Sequence, residues 1–364
     1  MIKVNLSKMF IDDEIKSKIL AVYESGRYIK GEENSLFEGE FADYCKCRNC
    51  TAVNSGTSAL ILGLMTLGIG KGDEVILPSH TFIASANAVL FTGATPIFAE
   101  IQPNTYTVDC ESIESLITPS TKAVMPVHIY GHPCDMLPIL DLAEDRNLFV
   151  IEDACQAHGA KYKGKKCGSM GDVAAFSFFP SKNMTVAGDG GALTTNNDDL
   201  AIKASAIRDQ GRKDGEKYYH EYQGLNMRLS EIHAAIGRIQ LKHLDEWNAK
   251  RRDNASYFNE KFDSINEIIL PQEESWAYAV YHQYVIRTTK RDALLDFLKK
   301  HGIESGIHYP VPVHLQPAMR DVSRGKELRV TESVAKTILS IPVHPHLKSE
   351  EKDYIANEVI DFFN

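Results

Sequence analysis

Short apolar segments alternate with amphipathic helical ones from about residue 36 onward, and this alternation narrows the available folds more than any other feature of the chain. Strands are expected at Thr51–Asn54, Glu74–Leu77, Thr95–Phe98, Ala123–His128 and Leu148–Ile151, with helical spacing at 36–44, 83–91 and 137–145. Strands and helices alternating at this distance imply right-handed βαβ crossovers and a mostly parallel sheet with ligands at the carboxyl ends of its strands. Upstream, 10–30 has helical spacing ending near Gly26, and Tyr28–Glu33 is read as an exposed loop. Downstream, helices are expected at 198–208 and 228–244, with a polar, aromatic loop at 218–226. From about residue 250, strands at 281–286 and 303–309 are separated by charged helices at 291–301 and 350–363. The chain is therefore divided into a large α/β domain, 1–247, and a small C-terminal α/β domain, 248–364.

Three strand ends carry chemistry. Phe176-Ser-Phe-Phe-Pro-Ser-Lys-Asn places Lys182 between a buried strand and the glycines Gly188, Gly190 and Gly191. An amine there is poorly hydrated, which lowers its pKa. As a neutral nucleophile it can form a Schiff base, the task of the lysine in a pyridoxal phosphate (PLP) enzyme; a surface lysine on a loop has the same local pattern. At Ser55-Gly-Thr-Ser-Ala-Leu60 a strand runs into a helix whose first-turn N–H groups, with Gly56, Thr57 and Ser58, suit a phosphate, although a plain helix cap reads the same way. At Glu152-Asp-Ala-Cys-Gln156 the strand ends on carboxylates. Asp153 would hold a pyridine nitrogen protonated and Gln156 would donate to the ring oxygen; a turn-capping aspartate is the bland alternative. His158 reads as a substrate ligand or as a packed histidine.

Composition excludes other classes. With a formal net charge of −9 and mixed signs throughout, no basic stripe invites nucleic acid. No apolar run reaches membrane-spanning length and the N-terminus lacks a signal-type apolar stretch, so a cytoplasmic, membrane-free protein is expected. The seven cysteines read as reduced thiols. Cys45, Cys47 and Cys50 lack a fourth ligand at suitable spacing, so packed thiols are expected rather than a metal site.

Ser55-Gly-Thr-Ser-Ala-Leu, Glu152-Asp-Ala-Cys-Gln-Ala-His-Gly-Ala, Phe176-Ser-Phe-Phe-Pro-Ser-Lys-Asn and Gly188-Asp-Gly-Gly occur together in this order. With Gly224-Leu-Asn-Met-Arg-Leu-Ser-Glu-Ile-His-Ala-Ala-Ile-Gly237, His308-Tyr-Pro-Val-Pro-Val-His-Leu-Gln316 and Ile341-Pro-Val-His-Pro, the chain resembles the DegT/DnrJ/EryC1/StrS family of PLP-dependent nucleotide-sugar aminotransferases from about residue 10 to 360. The resemblance implies the aspartate aminotransferase fold (fold type I) and a homodimer with shared active sites. It assigns Lys182 to the Schiff base, Asp153 to the pyridine nitrogen, Gln156 to the ring hydroxyl, and Gly56, Thr57 and Ser177 to the phosphate. Phe82 would stack on the ring, and Asn226 would reach the phosphate in the neighbouring subunit. His308, His314 and Gln316 stand where sugar or nucleotide contacts would come from the small domain.

Members that dehydrate a sugar carry histidine in place of this lysine, so the resemblance implies transamination. The amino group of L-glutamate would pass to a nucleotide-linked keto-sugar, typically a 4-keto- or 3-keto-6-deoxyhexose, for amino-sugar biosynthesis of the kind that supplies polysaccharides or antigens. Met227 after Asn226 resembles C4-aminating members more than C3-aminating ones, in which serine often follows the asparagine. The alternatives are a non-nucleotide keto-sugar or aminocyclitol as acceptor, and a non-catalytic regulatory relative.

Overall fold

The computed structural model describes residues 2–323 and 325–364. The strands of the large lobe are β1 (Asn49–Val53), β2 (Glu74–Pro78), β3 (Thr95–Ala99), β4 (Thr121–Val124), β5 (Phe149–Asp153), the hairpin β6 (Lys161–Tyr162) and β7 (Lys165–Lys166), β8 (Val173–Ser177) and β9 (Gly191–Thr195). Seven of them form one sheet in the order β1-β9-β8-β5-β4-β2-β3, in which β9 alone runs against its neighbours. All residues of β8 and β9 are buried, as a sheet covered on both faces requires.

Helices α1 (Asp13–Ser25) and α2 (Glu32–Cys45) precede the sheet. Next come α3 (Gly56–Leu67), α4 (Ala84–Phe91), α5 (Cys110–Leu116), α6 (Met136–Arg146) and α7 (Asp198–Arg208). The expected helix at 228–244 is the start of a much longer one, α8 (Glu231–Phe262), about 48 Å of continuous helix at 1.5 Å per residue. Its first half packs on α1 and α2, while Phe258 and Phe262 join Tyr284, Leu294 and Ile355 in the small lobe's core. The division at 247/248 thus falls inside one helix shared by both lobes. The N-terminal segment also reaches across, since Val4 pairs with Ile303 and lies in the same small-lobe core. The small lobe contains β10 (Ala277–Tyr278), which extends the β6–β7 hairpin, and the antiparallel pair β11 (Tyr284–Arg287) and β12 (Ile338–Ile341), with α9 (Arg291–Lys300), α10 (Arg320–Ser323), α11 (Arg329–Thr337) and α12 (Ser349–Phe363).

The segment read as a loop at 28–33 ends inside α2, for a reason remote in sequence. Glu231, buried at the start of α8, accepts the N–H groups of Gly31 at 2.7 Å, Glu33 at 2.9 Å and Asn34 at 3.2 Å, and the Asn34 side-chain amide. One carboxylate therefore satisfies the unpaired donors of the α2 N-terminus. A Cβ on Gly31 would lie 2.6 Å from Glu231 Oε2, so only glycine admits this approach. Glu231→Ala is expected to lose about 2–3 kcal/mol of unfolding free energy in urea, because several buried donors lose their acceptor together. An unchanged unfolding midpoint would refute that cap.

All seven cysteines are free. Burial raises the pKa of Cys45 and Cys50 well above the usual thiol range, so both are packed as protonated thiols. The one grouping of ligand-type atoms among the described residues is instead His128, Glu152 and Cys167. There Glu152 already accepts the N–H groups of Gly168, Met170 and Gly171 and contacts His128, an arrangement that completes a buried turn. No helix among the described residues is long and apolar enough to cross a membrane.

Candidate active site

The ends of β1, β2, β5 and β8 open onto a cavity of about 380 Å³ lined by Gly56, Thr57, Phe82, Ser85, Asp153, Cys155, Gln156, Ser177, Lys182 and Tyr309. β1 runs through Asn54 into α3, where Ser55 Oγ accepts the Ser58 N–H at 3.0 Å. This cap leaves the first amides of α3, those of Gly56 and Thr57, directed at the cavity end of the helix dipole, a setting for an anion. A Cβ on Gly56 would stand 2.7 Å from Ser177 Cβ and 3.0 Å from Cys155 Sγ, so glycine is what lets the helix end abut β8.

Asp153, 4% exposed, terminates β5. Its Oδ2 accepts from Ser85 Oγ at 2.7 Å and its Oδ1 from the Cys155 N–H at 3.2 Å. Both partners are neutral, which leaves the carboxylate suited to a cationic or protonated group in the cavity. Lys182 is half-buried on the opposite loop, and desolvation lowers its amine pKa, opposed in part by Cys155 and Asp153. Behind it His158, His282 and His308 are held neutral by burial, and the lysine's own charge lowers them further. Gln156 accepts the Tyr130 N–H through Oε1 at 2.8 Å and donates from Nε2 to the Tyr309 hydroxyl at 3.3 Å. Phe82, 53% exposed, lies at the mouth with its ring 5.6 Å from that of Tyr309.

Eight of the sequence candidates thus come together or abut: Lys182, Asp153, Gly56, Thr57, Phe82, Gln156 and Ser177 line the cavity, and Ser58 sits one residue behind, paired with Ser55. Asn226 is exposed and outside the cavity of its own chain. His158 is wholly buried between Phe176 and Phe178, and neither ring nitrogen has a hydrogen-bond partner, which makes it a packing residue rather than a cavity wall. His308 bonds Ser340 Oγ through Nδ1 at 2.9 Å. His314 is bound to Ser79 Oγ at 2.6 Å and Glu332 at 3.3 Å, and Gln316 donates to the Val311 carbonyl. Those contacts pack His314 against the large lobe just past β2 and tie Gln316 to its own turn, so neither lines the cavity in this chain. Ser85, Cys155 and Tyr309 line the cavity without having been singled out in the sequence. Ser85 is one of several small residues on α4, and no local pattern marks the one that meets Asp153.

The walls therefore offer a seat for an anion at α3, a carboxylate for a protonated base, and a desolvated amine for a carbonyl carbon. The model of the DegT/DnrJ/EryC1/StrS aminotransferase family matches residues 10–360. The dTDP-3-amino-3,4,6-trideoxy-alpha-D-glucose transaminase of Streptomyces venezuelae is 45% identical over 349 residues, covering 96% of this chain and 90% of that protein. The solved structure of DesV from S. venezuelae superposes with a TM-score of 0.93 at 44% identity, over 96% of this chain and 94% of that one. NtdA from Bacillus subtilis, solved with the bound cofactor PMP, has a TM-score of 0.91 at 33% identity, over 96% of this chain and 81% of that one. With nearly its full length matched in both sequence and structure, the chain belongs to the DegT/DnrJ/EryC1/StrS aminotransferase family.

Proposed function

We propose that this sugar aminotransferase moves the amino group of L-glutamate onto the keto group of a nucleotide-linked keto-sugar, with PLP as cofactor and two chains sharing their active sites. The observation that carries the reading is Lys182 and Asp153 on the walls of one cavity, the amine desolvated and the carboxylate paired with neutral donors only. PLP fits that donor set. Gly56, Thr57 and Ser177 would hold its phosphate, Phe82 would cover the ring, Asp153 would keep the ring nitrogen protonated, Gln156 Nε2 would donate to the ring oxygen, and Lys182 would bind the aldehyde. When bound, the cofactor supplies an electron sink for the carbanion left when an α-proton departs.

The chain's own groups do the rest. Lys182 Nζ, once free, is biased toward the neutral form by burial and can take the α-proton of the amino acid; run in reverse on the keto-sugar, the same amine returns a proton to the sugar carbon. Leu60, Ala84, Val127 and Phe179 give the cavity an apolar side that limits water at the proton-transfer site. Lys30, Arg212 and Arg228 converge on the single carboxylate of Asp209, next to the strand-like pairing of Asp209 with Asn226. That excess of positive charge suits a nucleotide diphosphate and supports a nucleotide-linked acceptor. Sharing of sites is supported by the exposure of Asn226 and by large exposed apolar side chains, Phe82, Phe91, Phe179 and Ile202 among them. For the carbon aminated we favour C3. The S. venezuelae relative is named for a 3-amino sugar, whereas Met227 after Asn226 resembles C4-aminating members, and the substrate panel below separates the two.

The protein reconstituted with PLP should absorb in the visible, and L-glutamate should bleach that band. The bleached enzyme should then aminate members of a panel of nucleotide-linked 3-keto- and 4-keto-sugars, read by mass, with the 3-keto compounds turned over faster. A protein left colourless by PLP contradicts the cofactor assignment. Amination of free keto-sugars only contradicts the nucleotide assignment.

A further inference from the structure

Tyr130 joins three parts of the molecule on which the cavity depends. It is buried in the turn that follows β4, with φ +57° and ψ 7°, a left-handed conformation that is costly for an aromatic residue and persists where the surroundings fix it. Its N–H donates to Gln156 Oε1, which leaves Nε2 of that amide as the donor toward Tyr309 and the cavity. Its hydroxyl lies between two partners, the His308 carbonyl and His80 Nε2, the latter at 2.6 Å.

Proton counting fixes the roles. A carbonyl only accepts, so the single Tyr130 hydroxyl proton goes to His308 O, and His80 Nε2 must donate to the hydroxyl oxygen. His80 is therefore the neutral Nε2–H tautomer, and its bare Nδ1 is buried without a partner. The His308–Tyr309 segment belongs to the small lobe, where Gly306 pairs with Ser340 of β12. Its neighbour Tyr309 returns to the Gln156 amide, so the contacts close a circuit: Gln156, Tyr130, His308, Tyr309 and back.

We propose that Tyr130 is a positioning residue that couples the seat of the small-lobe segment His308–Tyr309 to the orientation of the Gln156 amide. The proposal rests on the function above only in taking Gln156 to face the cofactor; the circuit itself is made by the chain. A residue needed for stability alone would not link those two ends.

The test begins without cofactor. In the apoprotein, Tyr130→Phe should speed backbone hydrogen exchange across 305–310 about tenfold while α9 and α12 exchange at the native rate, because the His308 carbonyl loses its donor. His80→Leu should give a smaller acceleration over the same residues, because Tyr130 keeps its proton on His308 O but loses the donor that holds its hydroxyl in place, whereas His80→Gln, which can keep an N–H donor near the hydroxyl, should stay near the native rate. The circuit is then read at the site through cofactor dissociation. Tyr130→Phe should weaken PLP about tenfold in the native background but less than about twofold in a Tyr309→Phe background, since the second change has already opened the circuit. Unchanged exchange at 305–310, or effects of Tyr130→Phe and Tyr309→Phe that simply multiply, would overturn the coupling. If Tyr130→Phe does not fold, the His80 pair decides the outcome: equal exchange in His80→Leu and His80→Gln overturns it. A chain that failed to bind PLP would contradict the proposed function and leave the apoprotein exchange result standing.

Discussion

Lys182→Ala is expected to abolish transamination, with turnover lower by at least about 10⁴-fold, while the protein still folds and binds PLP without covalent attachment. The fold should tolerate the change because the lysine holds the loop through its backbone, Lys182 N–H to Phe179 O at 2.9 Å, and burial already disfavours its charged form. Removing the amine also relieves the neutral imidazoles of His158 and His308, both lowered by that charge. The phosphate seat at α3 and the carboxylate of Asp153 remain, so noncovalent affinity should persist. Three measurements check this: turnover with L-glutamate, the position of the visible band, and the unfolding temperature with and without PLP. Turnover near the native rate would remove Lys182 from its role, whereas loss of folding would show that the side chain carries structure.

Much of the large lobe was legible because its strands are buried on both faces and bounded by glycine, proline or polar residues, so period and punctuation agree. Helix α7 lies where its spacing placed it, at Asp198–Arg208. The misreadings have physical causes. Past residue 244 the buried stripe of α8 continues through Trp247, Arg251, Asn254, Ala255, Phe258 and Phe262, and the polar members of that stripe interrupt the apolar period. Arg251 is buried because the carbonyls of Tyr281 and His282 accept from it, and Asn254 because those of Val343 and His344 do. No window of local sequence contains those partners. The start of α2 was hidden for the same reason, since its cap, Glu231, lies about two hundred residues away. At the site, residues on glycine-flanked strand ends could be found from their neighbours. Ser85, Tyr130 and Tyr309 could not, because each acts through a contact with Asp153 or Gln156 made only when the sheet and the small lobe assemble.

Asp153→Asn should lower turnover about 10³-fold with little loss of stability, because charge can be removed here while shape is kept. The new amide can still accept the Cys155 N–H through its oxygen and present its NH₂ to Ser85, whose hydroxyl can turn from donor to acceptor. Thr81 Oγ1, 2.9 Å from Ser85 Oγ, is placed to take the released hydroxyl proton, so the hydrogen-bond chain reverses without leaving a buried group unpaired. What disappears is the negative charge available to a protonated ring nitrogen. That charge is needed both when a proton leaves the amino acid and when one is delivered to the sugar carbon, so both half-reactions should slow by similar factors. Single-turnover absorbance with L-glutamate, and separately with keto-sugar on the aminated enzyme, distinguishes this from a substrate-binding role, which would slow one half only. Equal slowing with an unchanged unfolding temperature is the result expected if Asp153 acts on the cofactor. Rates within about tenfold of native in both halves would mean that the carboxylate supports the end of β5 and the ring charge is held by another group.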